Sequence, residues 1–186
     1  MPPKVRFQRE AVVDAAYQLA RTSGLEAVNA RAIAKALGCS TQPLFREFES
    51  MEDIRAEVVK LALTEYGRRI AQATSGTAMP PYKSAGMAYI LFAREEPQLF
   101  RMLFMCDRSH MSPLEPDETL DYILELLTQK TGYTHEEALD FHLQMWVFTH
   151  GLATMVATHY IDFSNEELEA LLSRQFAANM AARERL

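Results

Sequence analysis

Residues 29–54 read NARAIAKALGCSTQPLFREFESMEDI, and this stretch decides the fold. Asn29 stands just ahead of a helix-forming run, where its side chain can cap the first turn, and Ile33, Ala34 and Leu37 then share one face of a short helix over 31–37. Gly38 closes that helix, because glycine accepts the left-handed backbone that commonly follows a last turn. Ser40 or Thr41 caps a second short helix, with Pro43 tolerated in its first turn and Leu44, Phe45 and Phe48 supplying apolar contacts. Ser50, followed by Glu52 and Asp53, opens a longer one whose acids suit the positive end of the helix dipole. Two short helices joined by Gly38-Cys39-Ser40 describe a helix-turn-helix. Ile33, Leu37, Leu44 and Phe48 would pin the crossing, leaving Thr41 and Gln42 to project toward base edges in a major groove.

Outward from this stretch the punctuation stays helical. Upstream, Phe7, Ala11, Val12, Ala15, Ala16 and Leu19 form the stripe of an amphipathic helix over 7–22, ended by Ser23-Gly24. Downstream, the helix opened at Ser50 carries a stripe at Ile54, Val58, Leu61, Tyr66 and Ile70. Residues 74–81, TSGTAMPP, are turn formers between two periodic segments and read as a linker. A helix over 82–95 breaks at Glu96-Pro97, since a residue before proline is driven out of the α region. Helices over 98–106 and 118–130 flank a polar loop at 107–117. Thr134-His-Glu-Glu137 and Ser164-Asn-Glu-Glu167 both match the capping box, so helices start near 135 and 165. The one over 135–160 is apolar around most of its circumference, which predicts burial on more than one side. The last, to about 184, has its stripe at Leu168, Leu171, Leu172, Phe176 and Met180, and the surplus apolar area of this pair predicts a homodimer. No segment alternates with period two, so the fold class is all-α: about nine helices, with a three-helix head at 1–50 and a helical-bundle body at 51–186 for ligand binding and dimerisation.

Composition bounds the function. The 186 residues are 48% apolar and 24% charged, as in an ordinary globular protein. No apolar run approaches the roughly 18 residues of a membrane span, and the charged N-terminus is not a secretory signal, so a cytoplasmic protein is expected. Cys39 and Cys106 fit a reducing compartment, with Cys106 expected in an apolar, inert setting. The net charge of −6 argues against nucleic acid only as an average. Residues 1–46 hold seven cations against three anions, a net of +4, which leaves −10 for the remainder. A basic recognition module joined to an acidic body has this asymmetry.

The same residues carry a family resemblance. Ala15-Ala16, Gly24, Ile33-Ala34, Gly38-Cys39-Ser40, Leu44-Phe45-Arg46-Glu47-Phe48 and Met51-Glu52-Asp53-Ile54 together resemble the head of tetracycline-repressor (TetR) transcriptional regulators across about residues 7–60. YILFAREEPQLFRMLF (89–104) and FTHGLATMV (148–156) look like segments of the family's regulatory domains. The resemblance implies a dimer whose heads bind a palindromic double-stranded DNA operator, and a small molecule in the body that changes their spacing. It implies DNA contacts from Arg6, Arg31, Ser40, Thr41, Gln42, Pro43, Phe45 and Arg46. Phe45 and Met51 stand where tyrosine and lysine are usual, positions that commonly touch phosphates, and Glu47 adds an anion nearby. Weaker phosphate binding is the expectation, carried more by Arg6, Arg31 and Arg46.

The body is rich in methionine and aromatic residues, and Met87, Phe100, Met102, Phe104, Met105, Met145, Trp146, Phe148 and His150 are the candidate lining of a site for a small apolar or aromatic effector. His142, His150 and His159 are spaced by 8 and 9, not the i, i+4 of a helical ligand pair, so neither a metal nor a cofactor is expected. No nucleophile elbow, zincin or phosphate-loop motif occurs, and the acid pairs Glu95-Glu96, Glu136-Glu137 and Glu166-Glu167 read as solvated helix ends, so no enzyme is expected. A ligand-responsive repressor is the leading reading. A protein-binding adaptor or a metal-gated regulator with weak DNA binding is the alternative.

Overall fold

The computed structural model describes residues 8–76, 78–107 and 118–183. Among them the helices are α1 (Arg9–Ser23), α2 (Ala30–Ala36), α3 (Leu44–Glu47), α4 (Met51–Thr74), α5 (Pro81–Glu95), α6 (Pro97–Phe104), α7 (Glu118–Thr131), α8 (His135–Ala157) and α9 (Asn165–Arg183), with a 3-10 turn at Leu25–Ala27 and no strand among the described residues.

The starts of α2, α4, α8 and α9 are set by side chains that take up the amide groups a first turn leaves free. Asn29 Oδ1 accepts from the Ala32 N–H at 3.0 Å. Ser50 and Asp53 cap reciprocally ahead of α4, at 2.9 and 3.1 Å. Thr134 with Glu137, and Ser164 with Glu167, form the boxes that start α8 and α9. At the end of α2, Gly38 has φ +65°, and the Cys39 N–H reaches back to the Ala34 carbonyl at 2.9 Å, closing the turn as glycine allows. The next helix differs from expectation. Neither Ser40 nor Thr41 caps it by side chain. α3 is a single turn that begins after Pro43, whose φ of −61° preorganises it. α8 stops at Ala157 rather than 160, since His159 adopts a left-handed φ of 54° and the Tyr160 N–H turns back to the Met155 carbonyl.

The stripe of α4 is cleaner than expected: Ile54, Val58, Ala62, Tyr66 and Ile70 are all buried at successive i+4 steps, with Ala62 in place of the exposed Leu61. Contacts divide the chain into two compact units, Met1–Glu65 with Glu96–Cys106, and Tyr66–Glu95 with Asp107–Leu186.

In the first unit Val12, Ala16, Ala20, Val28, Ile33, Leu44, Phe48, Leu99 and Phe100 are buried, and α1 packs on α2 and α6. Glu96, between α5 and α6, is not the solvated helix end that its sequence position suggests. Its side chain is 6% exposed, and Arg21 grips it as a fork, Nε to Oε2 at 2.7 Å and Nη2 to Oε1 at 2.6 Å. Beside it the φ of +83° at position 24 favours glycine, and a Cβ there would lie 3.3 Å from the Gln98 side chain of α6.

In the second unit α5 packs on α8, α9 and α7. Tyr82 meets His142 and Tyr89 meets His150, a nearly constant offset along the chain, so α5 and α8 run in the same sense. Tyr82 beside Phe176 and Arg94 bonded to Asn165 set α9 antiparallel to α5. Phe92, Leu124, Leu127, Phe141 and Leu168 fill this core. Within the chain α8 is covered on one side. Phe141, Met145, Leu152 and Val156 face inward, while Leu143, Val147, Trp146 and Met155 stay 55%, 62%, 38% and 37% exposed.

Removing the cation from the buried carboxylate tests the head's packing. Arg21→Ala should cost about 1–3 kcal/mol, less than for a fully buried pair because Arg21 itself is partly in water. Glu96→Gln, which keeps an acceptor for the fork, should cost less. Urea denaturation measures both, and an unchanged midpoint for Arg21→Ala would contradict the assignment.

Candidate nucleic-acid interface and the helical body

The helix-turn-helix is held from beneath by Ile33, Leu44 and Phe48, all buried. Arg9 fastens its far end in three ways. Its Nη1 donates to the Glu47 carbonyl at 3.0 Å, Nη2 pairs with Glu57 at 2.8 Å, and its guanidinium lies 4.1 Å from the centre of the Phe48 ring. Arg55 donates to the Val28 carbonyl at 3.1 Å and pairs with Glu52. Arg9 and Arg21, two of the seven cations in the basic segment, therefore serve the fold. Arg31, Lys35 and Arg46 are exposed, as are Ser40, Gln42 and Phe45, whereas Thr41 and Pro43 are half-buried. Gln42, Phe45 and Arg46 follow an i, i+3, i+4 spacing away from the buried Leu44 and Phe48. Arg6 lies outside the described residues.

In the body, two tyrosine–histidine pairs join α5 to α8. The Tyr82 hydroxyl lies 3.0 Å from His142 Nδ1, and the Tyr89 hydroxyl 2.8 Å from His150 Nδ1. Burial pushes both phenols up, with a hydrogen bond from Trp146 working against it at Tyr89. Burial pushes the His142 imidazole down to about 4 and also lowers His150. Each hydroxyl shares one hydrogen bond with an imidazole whose protonation burial disfavours, and the tautomer of the ring sets which of the two donates. Trp146 stacks on His150 with ring centres 5.2 Å apart, which gathers Tyr89, Trp146 and His150 where α8 meets solvent.

The other candidate effector residues are distributed over both units. Met87 and Met145 are buried and Phe148 half-buried in the second unit. Phe100 and Met102 are buried, Phe104 half-buried and Met105 exposed in the first. Cys106 is exposed, so the apolar shielding expected of it is absent. His110 and Met111 lie outside the described residues. Among the described residues no three His, Cys, Asp or Glu side chains cluster as metal ligands would, and no helix is long and apolar enough to cross a membrane.

Residues 12–58 match the family described as bacterial regulatory proteins, tetR family, and residues 82–179, more than half of the chain, match the tetracyclin repressor-like C-terminal domain. The chain belongs to the TetR family. TetR proteins are DNA-binding helix-turn-helix regulators of transcription. Over 173 residues the chain is 23% identical to an uncharacterized HTH-type transcriptional regulator, YobS, of Bacillus subtilis (strain 168), covering 92% of this chain and 90% of that one. Its fold resembles a TetR-like transcriptional regulator from Rhodococcus sp. RHA1, with a TM-score of 0.68 at 17% identity over 97% of this chain and 98% of that one. It also resembles a TetR-family transcriptional regulator from Haemophilus influenzae RD, with a TM-score of 0.61 at 13% identity over 91% and 94%. Within this TetR chain, sequence reading missed the roles of Arg9, Arg21 and Glu96, which depend on contacts 38 to 75 residues apart. The tyrosine–histidine pairs had a faint signal: Tyr82 and Tyr89 are two turns apart, as are His142 and His150.

His142 makes stability depend on pH. In the unfolded chain an imidazole takes its proton near 6.5, whereas in the fold it stays neutral down to about 4. Between those values the unfolded state binds more protons, so His142 contributes fully above pH 6.5 and its contribution fades as pH falls toward 4. At most about 3–4 kcal/mol is involved. Urea midpoints at pH 7, 5.5 and 4.5 should fall more steeply for the native chain than for His142→Gln; parallel slopes would contradict this.

Proposed function

We infer that this regulator is a cytoplasmic repressor that binds a palindromic operator as a homodimer and releases it when a small apolar or aromatic molecule enters the body. The observation that carries the DNA reading is the exposed set Arg31, Gln42, Phe45 and Arg46 on a helix-turn-helix whose underside and far end are pinned by Leu44, Phe48 and Arg9. A rigid mount matters because phosphate contacts position a reader and base contacts specify the sequence. Gln42 presents both a donor and an acceptor for a base edge, while Arg31 suits a phosphate.

Dimerisation draws support from the outer face of α8. Leu143, Trp146, Val147 and Met155 make an apolar face larger than a solvated helix keeps, and a second copy would remove it from water. Two heads tied in this way meet half-sites of opposite sense, hence the palindrome. The effector reading rests on Met87, Met145, Trp146, Phe148 and His150 in the second unit, where flexible thioethers and aromatic rings accompany the polar Tyr89–His150 pair. A ligand shifts the DNA-bound population only by its differential affinity for the two arrangements.

Light scattering should give a dimer for the native chain, and Val147→Glu should give a monomer with weakened operator binding; a native monomer would remove the dimer reading. Gel shifts at low salt should show Gln42→Ala losing about 1–3 kcal/mol at one base pair per half-site. Arg31→Ala should weaken all sequences alike. An apolar compound that releases DNA should also change the emission of Trp146, the only tryptophan.

A further inference from the structure

Phe45 is the large apolar side chain of the helix-turn-helix left in water, 48% exposed, while Leu44 and Phe48 on either side of it along the turn are 0% and 4% exposed. Its neighbours on the exposed side are Gln42 and Arg46. The backbone beneath is fixed by the Arg9 bond to the Glu47 carbonyl, so the ring is held on a defined mount. A phenyl ring offers no hydrogen to a phosphate oxygen. In a major groove the group that favours apolar contact is the C5-methyl of thymine, present on T and absent from U and C.

We propose that Phe45 reads the methyl group of one thymine in each half-site. The inference rests on the DNA-binding reading above and adds a specificity determinant to it. The ring loses water on contact with the methyl, and the methyl loses water on contact with the ring, so discrimination comes from burial and not from charge. Transfer of one methyl-sized group out of water corresponds to about fourfold in affinity per half-site. Phe45 also marks a base position without strengthening the hold on unrelated DNA, because it adds nothing to the phosphate-dependent background.

The test begins with selection from a randomised duplex library by the purified full-length protein. The enriched duplex is then synthesised with thymine replaced by uracil one position at a time, which deletes only the methyl. The expected result is one position per half-site where uracil weakens binding about fourfold. Phe45→Ala should bind thymine and uracil equally there, and Phe45→Leu should keep part of the preference. Unchanged circular dichroism and melting of both variants, expected of an exposed site, separate loss of contact from loss of fold. Uracil without effect at every position, or a uracil effect that survives in Phe45→Ala, overturns the proposal. If no sequence is enriched even from the thymine library, the DNA-binding reading itself fails and the proposal with it.

Discussion

The grip of Arg21 on Glu96 is the constraint around which the head is arranged. A carboxylate almost out of water is tolerable only when it is paired and hydrogen-bonded, and both of its oxygens are taken by one guanidinium in a planar fork. Proline at position 97 makes that placement necessary, because it forces Glu96 out of the helix and starts α6 afresh. The chain break, the buried acid and the glycine at position 24 belong to one solution: α6 docks on the end of α1, and the side chain at the break is neutralised there. Half of the arginine stays solvated, which keeps its own desolvation small.

Much of the architecture could be read from local chemistry. Asn29, Ser50, Thr134 and Ser164 announced helix starts because a cap depends on residues three apart. Gly38 and Pro97 fixed breaks for the same local reason. What escaped depended on distant partners. Arg9 and Arg21 look like any other cation of a basic segment, and only the folded chain shows that one holds Glu47 and Glu57 and the other Glu96. The short α3 escaped for a different reason: Ser40 and Thr41 are good caps by type, yet proline at 43 had already set the first turn. On α8 apolar patterning counts how much surface wants cover without saying whether the same chain supplies it.

The tyrosine–histidine pairs show how the body keeps polar groups inside. Each phenol is hydrogen-bonded to an imidazole whose protonation burial disfavours, so two side chains that are costly to bury alone satisfy each other. Their repetition at two levels of α5 and α8 also sets register. Sliding one helix by a turn would leave both hydroxyls and both ring nitrogens without partners, a penalty that apolar contacts, which tolerate sliding, cannot impose. This pair of parallel helices is thus aligned by hydrogen bonds and filled by Phe92 and Phe141.

The docking of α6 on α1 bears on how such proteins can be recombined. A fragment cut after the helix-turn-helix, or after residue 65, would leave Arg21 without its carboxylate and the α1 face beside Gly24 without α6. A graft of this head onto another body would place Arg21 against whatever residue then stands at position 96. Keeping the grip requires α6 to travel with the DNA-reading helices although some fifty residues of chain separate them.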